Sequence, residues 1–456
     1  MDNIKEMCAE TRLYFTGLTV FSGIRKSPVI KVFEKLIETA GNVNSNPIDL
    51  VDSWSNFLSV FFLHNKGRTF FMYLTDLVID DENAFTLCAE RGDFCEKSLL
   101  GTMVRCDLKR FSYISDFDIP MLSLYIADEL WKSGFENCAQ LIEEGVRVIG
   151  ELRDVNFSLP FEDFPYGLFN SRKADELAAF IRKRGAGLFG KHHFFYWKSG
   201  EGFSPALNPD IVRFEHLFGY DDQRRVLIEN TKRFLKGNGA NNILLYGDRG
   251  TGKSATVKAV CNEFKEQGLR LIEIHKYDIL EIPKILSMIA KRGLYFILFI
   301  DDLSFESQDE QFTMLKAVLE GGIEARPVNA VVYATSNRRH FVKENFFDRP
   351  DTSAAAQSVM TGDARAFDTM QEQFSLADRF GITIVFTLPT RDEFLHIAES
   401  IAERKGLFSS DNSAALDRVQ FRENALKWEQ WFNGRSPRTA GQFVEWAALG
   451  TGYPWE

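Results

Sequence analysis

Apolar residues recur at three- and four-residue spacing along the first 185 residues, as from Pro28 to Glu38 and from Ile119 to Trp131, and this spacing predicts packed helices. No repeat of fixed period is evident, so a solenoid is not expected. Glycine and proline cluster at 185–190, 200–202 and 205–209, which suits a linker over residues 186–211. From Ile243 the pattern changes. Continuous apolar runs at Ile243 to Tyr246, Arg270 to Ile274, Tyr295 to Ile300, Ala330 to Thr335 and Ile382 to Phe386 alternate with helical stretches. Such alternation predicts a parallel sheet with helices on both faces, and ligands bind at the carboxyl ends of its strands. Past Pro389 the strands stop, and Arg391 to Arg404, Arg422 to Phe432 and Thr439 to Ala448 read as helices. Residues 348–373, rich in Asp, Ser, Ala, Thr and Met, read as a mobile loop or short helix. The organisation expected is a helical N-terminal domain over 1–185, the linker, an α/β core over 212–389 and a helical lid over 390–456.

Composition narrows the class. The chain has 456 residues, 45% hydrophobic and 26% charged, the profile of a soluble globular protein. Length alone suggests about three folding units. The net charge of −10 argues against attraction of nucleic acid over the whole surface, which leaves at most a local basic channel. Phenylalanine, 42 residues, clusters in runs such as 57–63 and 194–197. These fall well short of the roughly 18 to 20 apolar residues that cross a bilayer, so they are expected in cores and no membrane association is expected. The acidic start from Met1 to Cys8 lacks the form of a secretory signal, and a cytoplasmic location is expected. The cysteines Cys8, Cys88, Cys95, Cys106, Cys138 and Cys261 form no C-x₂-C pair, so reduced, mostly buried thiols and no zinc site are expected. The His192 and His193 pair reads as surface or packing.

The chemistry-bearing pattern begins directly after the run Ile243 to Tyr246. Gly247, Asp248, Arg249, Gly250, Thr251, Gly252, Lys253 and Ser254 spell G-x-x-x-x-G-K-S, with Ala255 opening a helix-like stretch. This is the phosphate-binding loop of nucleoside triphosphatases: backbone N–H groups surround phosphate oxygens, and the helix N-terminus adds partial positive charge. Lys253 is suited to the β and γ phosphates of ATP, and the Ser254 hydroxyl to Mg²⁺. The run Tyr295 to Ile300 ends in Asp301 and Asp302. Asp301 there is expected to serve Mg²⁺ through water, and Asp302 to polarise an attacking water; read alone, two acids simply open a turn. Asn337, at the tip of the next strand, suits holding the lytic water or sensing the γ-phosphate, against the plainer reading of a turn cap. Arg379, just before Ile382, suits presentation to a neighbouring subunit's γ-phosphate, against a salt bridge with a local acid. Arg438, at the start of the last helix, suits swinging over the phosphates, with Arg435 its rival and an exposed arginine the plainer reading.

Taken together, these motifs resemble the AAA+ ATPases over residues 212–448. At finer grain, Phe218 to Gln223, Asn230 to Gly237, Ala240 to Ser254, Phe299 to Phe305, Leu319 to Pro327 and Tyr333 to His340 look like the DUF815 group of predicted bacterial ATPases. The resemblance implies an α/β P-loop NTPase core with a helical lid. It places Lys253 and Ser254 at the Walker A ends, Asp301 as the Walker B aspartate, Asn337 as sensor 1, Arg379 as arginine finger and Arg438 as sensor 2. Phe218, Gly219 and Tyr220 match the segment that lines the adenine pocket. Asp302 departs from the pattern, since most AAA+ proteins have glutamate there, and its shorter side chain puts fast turnover in doubt.

The function expected is a Mg²⁺-dependent ATPase that hydrolyses ATP at the interfaces of a homo-oligomer to remodel or regulate an unidentified macromolecular partner. The alternative is an ATP-gated interaction or scaffold protein with little turnover, its partner bound through the N-terminal helices. A small-molecule kinase leaves the sensor and finger positions unexplained. A GTPase lacks support because no N-K-x-D motif follows the P-loop.

Overall fold

Proline in the first turn of a helix costs no hydrogen bond, and Pro28, Pro47 and Pro120 each occupy that place in the N-terminal part of the chain. The computed structural model describes residues 2–42, 44–65, 67–151, 174–303, 310–320, 327–337, 378–408, 416–432, 434–450 and 452–455. Residues 348–373, expected as a mobile loop or short helix, lie outside them. The chain divides into two units, Met1–Lys191 and His192–Glu456.

The first unit is helical: α1 (Asp2–Thr16), α2 (Pro28–Gly41), α3 (Pro47–His64), α4 (Phe70–Asp80), α5 (Ala84–Arg91), α6 (Leu99–Ser115), α7 (Ile119–Lys132), α8 (Glu136–Glu151), α9 (Ala174–Arg184) and α10 (Gly187–Lys191). Side-chain caps set several starts. Asn46 accepts the N–H groups of Ile48 and Asp49, and Asn83 and Thr86 form a reciprocal capping box. The apolar stripes meet in a phenylalanine-rich core in which Phe33 packs against Phe57, Phe70 and Phe117. The buried carboxylate of Asp107 is satisfied by the N–H groups of Thr19, Val20 and Phe21 and by Arg110.

The thiols depart from expectation. Cys8 and Cys261 are buried, but Cys95, Cys106 and Cys138 are exposed and Cys88 is intermediate. A small thiol is tolerated on the outer face of a helix, as at Cys106 and Cys138, or in a connection, as at Cys95, so composition could not place it. Among the described residues no helix is long and apolar enough to cross a membrane.

The second unit holds a sheet of strand order β2-β1-β4-β5-β6-β3-β7, built from β1 (Phe194–Lys198), β2 (Gly202–Pro205), β3 (Ile243–Gly247), β4 (Leu269–Glu273), β5 (Tyr295–Ile300), β6 (Ala330–Asn337) and β7 (Ile382–Phe386). Every neighbouring pair is parallel except β1 with β2. The breaker-rich stretch expected as a linker therefore contributes a hairpin that extends the sheet through β4. Gly200 and Gly202, at φ 80 and 92, turn the chain between its strands, and the run from Phe194 to Trp197 supplies apolar side chains to bury.

Helices α11 (Asp221–Leu235), α12 (Lys253–Phe264), α13 (Ile282–Ile289) and α14 (Glu310–Glu320) flank the core, and α15 (Arg391–Arg404), α16 (Arg418–Trp431) and α17 (Pro437–Ala448) form the lid. The α/β P-loop core, the helical lid and the helical N-terminal part are those the sequence predicted. Ile243, Leu245, Val257, Val260, Ile297, Phe299, Val331 and Tyr333 pack one side of the sheet, while Phe394, Phe421, Trp428 and Phe443 give the lid its own core. The register pairs Gly247 with Asn337 and with Phe386, and Ile300 with Ala334. The P-loop, the two acids and Asn337 thus leave the sheet at one edge.

Candidate functional site

At that edge the chain turns from β3 into α12 through a loop whose glycines take backbone conformations that other residues rarely adopt. Gly247, Gly250 and Gly252 have φ of 139, 78 and 89, and a Cβ on Gly247 would run into the Phe386 carbonyl. The Asp248 N–H donates to that carbonyl at 2.9 Å, the Leu388 N–H returns to the Asp248 carboxylate at 3.0 Å, and the Thr251 hydroxyl closes onto the Asp248 carbonyl at 2.8 Å. The loop is therefore held in shape by β7 and by itself.

Lys253 is buried, and its Nζ donates to the carbonyls of Gly247 at 3.0 Å and Asp248 at 2.6 Å and to Asn337 Oδ1 at 3.3 Å. Burial pulls its ammonium below the usual lysine range, while Asp248, Asp302 and Asp301 hold it up. The Ser254 hydroxyl donates to Asp301 Oδ1 at 2.6 Å. Asn337 Nδ2 donates to the Asp302 carboxylate, so Asn337 bridges the lysine and the second acid.

Thr335 is a residue that sequence reading missed. Its hydroxyl donates to Asp301 Oδ1 at 2.5 Å and accepts the Asp302 N–H at 2.8 Å, where Asp302 sits in the left-handed region at φ 53. A signal was available: along a strand, residues two apart share a face, so Thr335 lies on the side of Asn337. The next residue ties the same segment, with Ser336 donating to the Leu303 carbonyl at 2.8 Å.

These groups line a cleft of about 750 Å³ that takes in residues Arg249 to Ala255, Asp301, Asp302, Thr335 and Asn337. The lid closes one side through Arg438, whose N–H lies 3.3 Å from the Gly250 carbonyl and whose side chain lines the cleft. Arg435 is held within the lid by Glu429 at 2.6 Å and is absent from the lining. Of the two rival arginines, Arg438 is the one at the site.

Gly219, Tyr220 and Arg379, all expected at the site, stand elsewhere. Of the segment before α11 the lining takes in His216, Leu217 and the expected Phe218, but not Gly219 or Tyr220. Gly219 backs onto Ile397, and the Tyr220 ring lies 5.1 Å from that of Phe386 while its hydroxyl donates to the Thr387 carbonyl at 2.7 Å. The left-handed conformation of both residues, φ 74 and 59, turns the chain into α11 and directs Tyr220 toward the end of β7. Arg379 lies outside the cleft and forms an ion pair with Glu320 at the end of α14. The local salt bridge that sequence left open for Arg379 is thus present.

The donor set fits a nucleoside triphosphate. The N–H groups at the start of α12 and the Lys253 ammonium suit phosphate oxygens. The Ser254 hydroxyl beside the Asp301 carboxylate offers the hard oxygen atoms that Mg²⁺ prefers. Among the described residues no group of three or more His, Cys, Asp or Glu side chains gathers as a metal site, so a cation here would depend on phosphate oxygens as well.

Residues 190–450 match the model of a family described as a protein of unknown function (DUF815). ORC1-type DNA replication protein 14 of Haloarcula marismortui is 38% identical over 61 residues, which are 13% of this chain and 14% of that protein. Among solved structures, a single-substitution variant of Thermotoga maritima RuvB aligns at 16% identity over 50% of this chain and 61% of that one, with a TM-score of 0.31. The Thermotoga maritima RuvB Holliday junction branch migration motor aligns at 14% identity over 52% of this chain and 72% of that one, with a TM-score of 0.29.

Proposed function

The chain belongs to the DUF815 family, and from that membership and the site we propose that it is a Mg²⁺-dependent AAA+ ATPase. The reading rests on one observation: Lys253, the Ser254–Asp301 pair and the Asp302–Asn337 pair converge on a single cleft beneath Arg438. In this reading the loop N–H groups and Lys253 bind the triphosphate, and Ser254 and Asp301 would hold Mg²⁺, which would supply charge neutralisation on the phosphates. Asp302 orients the attacking water and takes its proton. Asn337 positions that water, and Arg438 carries nucleotide state to the lid. Arg379, outside its own cleft, is assigned to the site of a neighbouring copy in a homo-oligomer. The ATPase would act on a macromolecular partner in the cytoplasm.

Asn337 already holds the Asp302 carboxylate, and this favours a second reading, an ATP-gated interaction protein with little turnover. Steady-state ATP hydrolysis with Mg²⁺ at several protein concentrations, alongside Lys253→Ala and Arg379→Ala, decides. Turnover per chain that rises with concentration and is lost in both variants supports the ATPase completed across subunits. Nucleotide binding without turnover selects the gated protein, and no nucleotide binding at all sinks both.

A further inference from the structure

Besides the P-loop, the cleft lining takes in His216, Leu217, Phe218, Ile397 and Ile401, a largely apolar slot that suits a flat ring. Helix α11 contributes Arg224, which is only 8% exposed yet belongs to the same lining. Its Nη1 donates to the Leu217 carbonyl at 2.6 Å, and the Asp221 carboxylate lies 3.6 Å from the same nitrogen. The buried Nε has no hydrogen-bond partner. Among the described residues, then, one of the three guanidinium nitrogens is engaged and donor capacity is left over.

A guanidinium only donates, with five N–H groups in a fixed fork, so a ligand that completes it must bring acceptors. Leaving a buried donor unsatisfied is costly, so a guanidinium with donors to spare at the wall of a cleft calls for an explanation. The unprotonated ring nitrogens of a purine are acceptors of this kind, as in the pairing of arginine with a purine edge. The slot wall is braced from the lid as well: Arg404 donates to the Glu215 carbonyl at 3.0 Å and lies over the Phe218 ring at 5.5 Å. Two arginines, one from α11 and one from α15, thus fix the segment 215–218 by its carbonyls.

We propose that Arg224 recognises the nucleobase: Nη1 fixes the wall of the slot through Leu217, and the donors that Leu217 leaves unused take a ring-nitrogen acceptor of the purine. The inference rests on the reading of the cleft as a nucleotide site and adds the residue that selects the base. Arg224 acts in binding and takes no part in the chemistry at the phosphates.

Calorimetric affinities of the full chain for ATP and for 1-deaza-, 3-deaza- and 7-deaza-ATP, in wild type, Arg224→Met and Arg224→Lys, test it, with thermal unfolding of each variant as the folding control. In wild type one of the three analogues is expected to bind about tenfold or more weakly than ATP, the loss appropriate to a hydrogen bond from a charged donor. Arg224→Met should lose a similar factor for ATP and bind that analogue no worse than ATP. Arg224→Lys, folded and able to reach the Leu217 carbonyl, should fall between them. Equal weakening of all four nucleotides in Arg224→Met, with the analogue penalty retained, would make Arg224 a mere brace for Leu217 and overturn the proposal. So would the lack of any penalty in wild type. Failure of wild type to bind ATP would instead remove the nucleotide reading of the cleft.

Discussion

Thr335 donates its hydroxyl proton to Asp301 across 2.5 Å, and with the same oxygen it accepts the N–H of Asp302 at 2.8 Å. One side chain thereby sets the carboxylate of the first acid and the left-handed backbone of the second. Thr335→Val keeps the shape and strips both bonds, leaving a partly buried N–H unpaired. We expect a stability loss of roughly 1–3 kcal/mol by denaturant unfolding, a larger fall in turnover than in ATP affinity, and recovery with Thr335→Ser. Unchanged turnover in the valine variant would show that Thr335 does not position the acids.

Asp302 and Lys253 are expected to separate binding from chemistry. Lys253→Ala is expected to abolish measurable ATP binding, because it removes the buried cation that the loop carbonyls and Asn337 hold in place. Asp302→Asn should retain ATP and lose about 10²-fold or more in turnover, the usual yield of a positioned base. Equal turnover in wild type and Asp302→Asn would remove the assignment of the base.

The lid is seated on the P-loop at Gly250, whose φ is 78 and whose missing Cβ would meet Ser436 Oγ at 2.9 Å and Arg438 Cβ at 3.4 Å. Gly250→Ala is expected to destabilise the chain by roughly 1–2 kcal/mol through the left-handed conformation alone, and to weaken ATP binding as α17 is pushed off the loop. Thermal unfolding and nucleotide titration read the two effects, and a variant indistinguishable from wild type would show that the lid does not bear on the loop.

Arg379 pairs with Glu320 and is absent from the lining of the chain's own cleft. Arg379→Ala should leave the ATP affinity of dilute protein unchanged and remove the rise of turnover with protein concentration. Glu320→Gln, which loosens the arginine, should keep that rise. Weaker ATP binding by dilute Arg379→Ala protein would place the arginine in its own site.

Burial pushes the thiols of Cys8 and Cys261 up to about 12, so at pH 8 neither supplies thiolate. A thiol titration of the native chain should label Cys95, Cys106 and Cys138 promptly and reach Cys8 and Cys261 only in denaturant. Rapid labelling of Cys261 in native protein would contradict its place in the core between the sheet and α12.

The sequence by itself determined the elements whose geometry is local. A strand, a glycine turn and a helix in succession define the loop from Gly247 to Ser254, and an apolar run ending in Asp301 and Asp302 defines a strand edge; each needs only neighbours in the chain. Parallel pairing then brings those edges together, because Gly247 and Asn337 share a register position. Tertiary structure alone decided which distant side chains meet. Thr335 reaches the two acids from 33 and 34 residues away, the hairpin of β1 and β2 joins the sheet instead of linking domains, and His216 and Leu217 join the expected Phe218 in the cleft lining in place of Gly219 and Tyr220. The choice of Arg438 over Arg435 belongs with these, since Glu429 ties up one arginine and the Gly250 carbonyl receives the backbone of the other. Periodicity reports which face of an element is buried, but not the partner that the face finds once helices and strands pack.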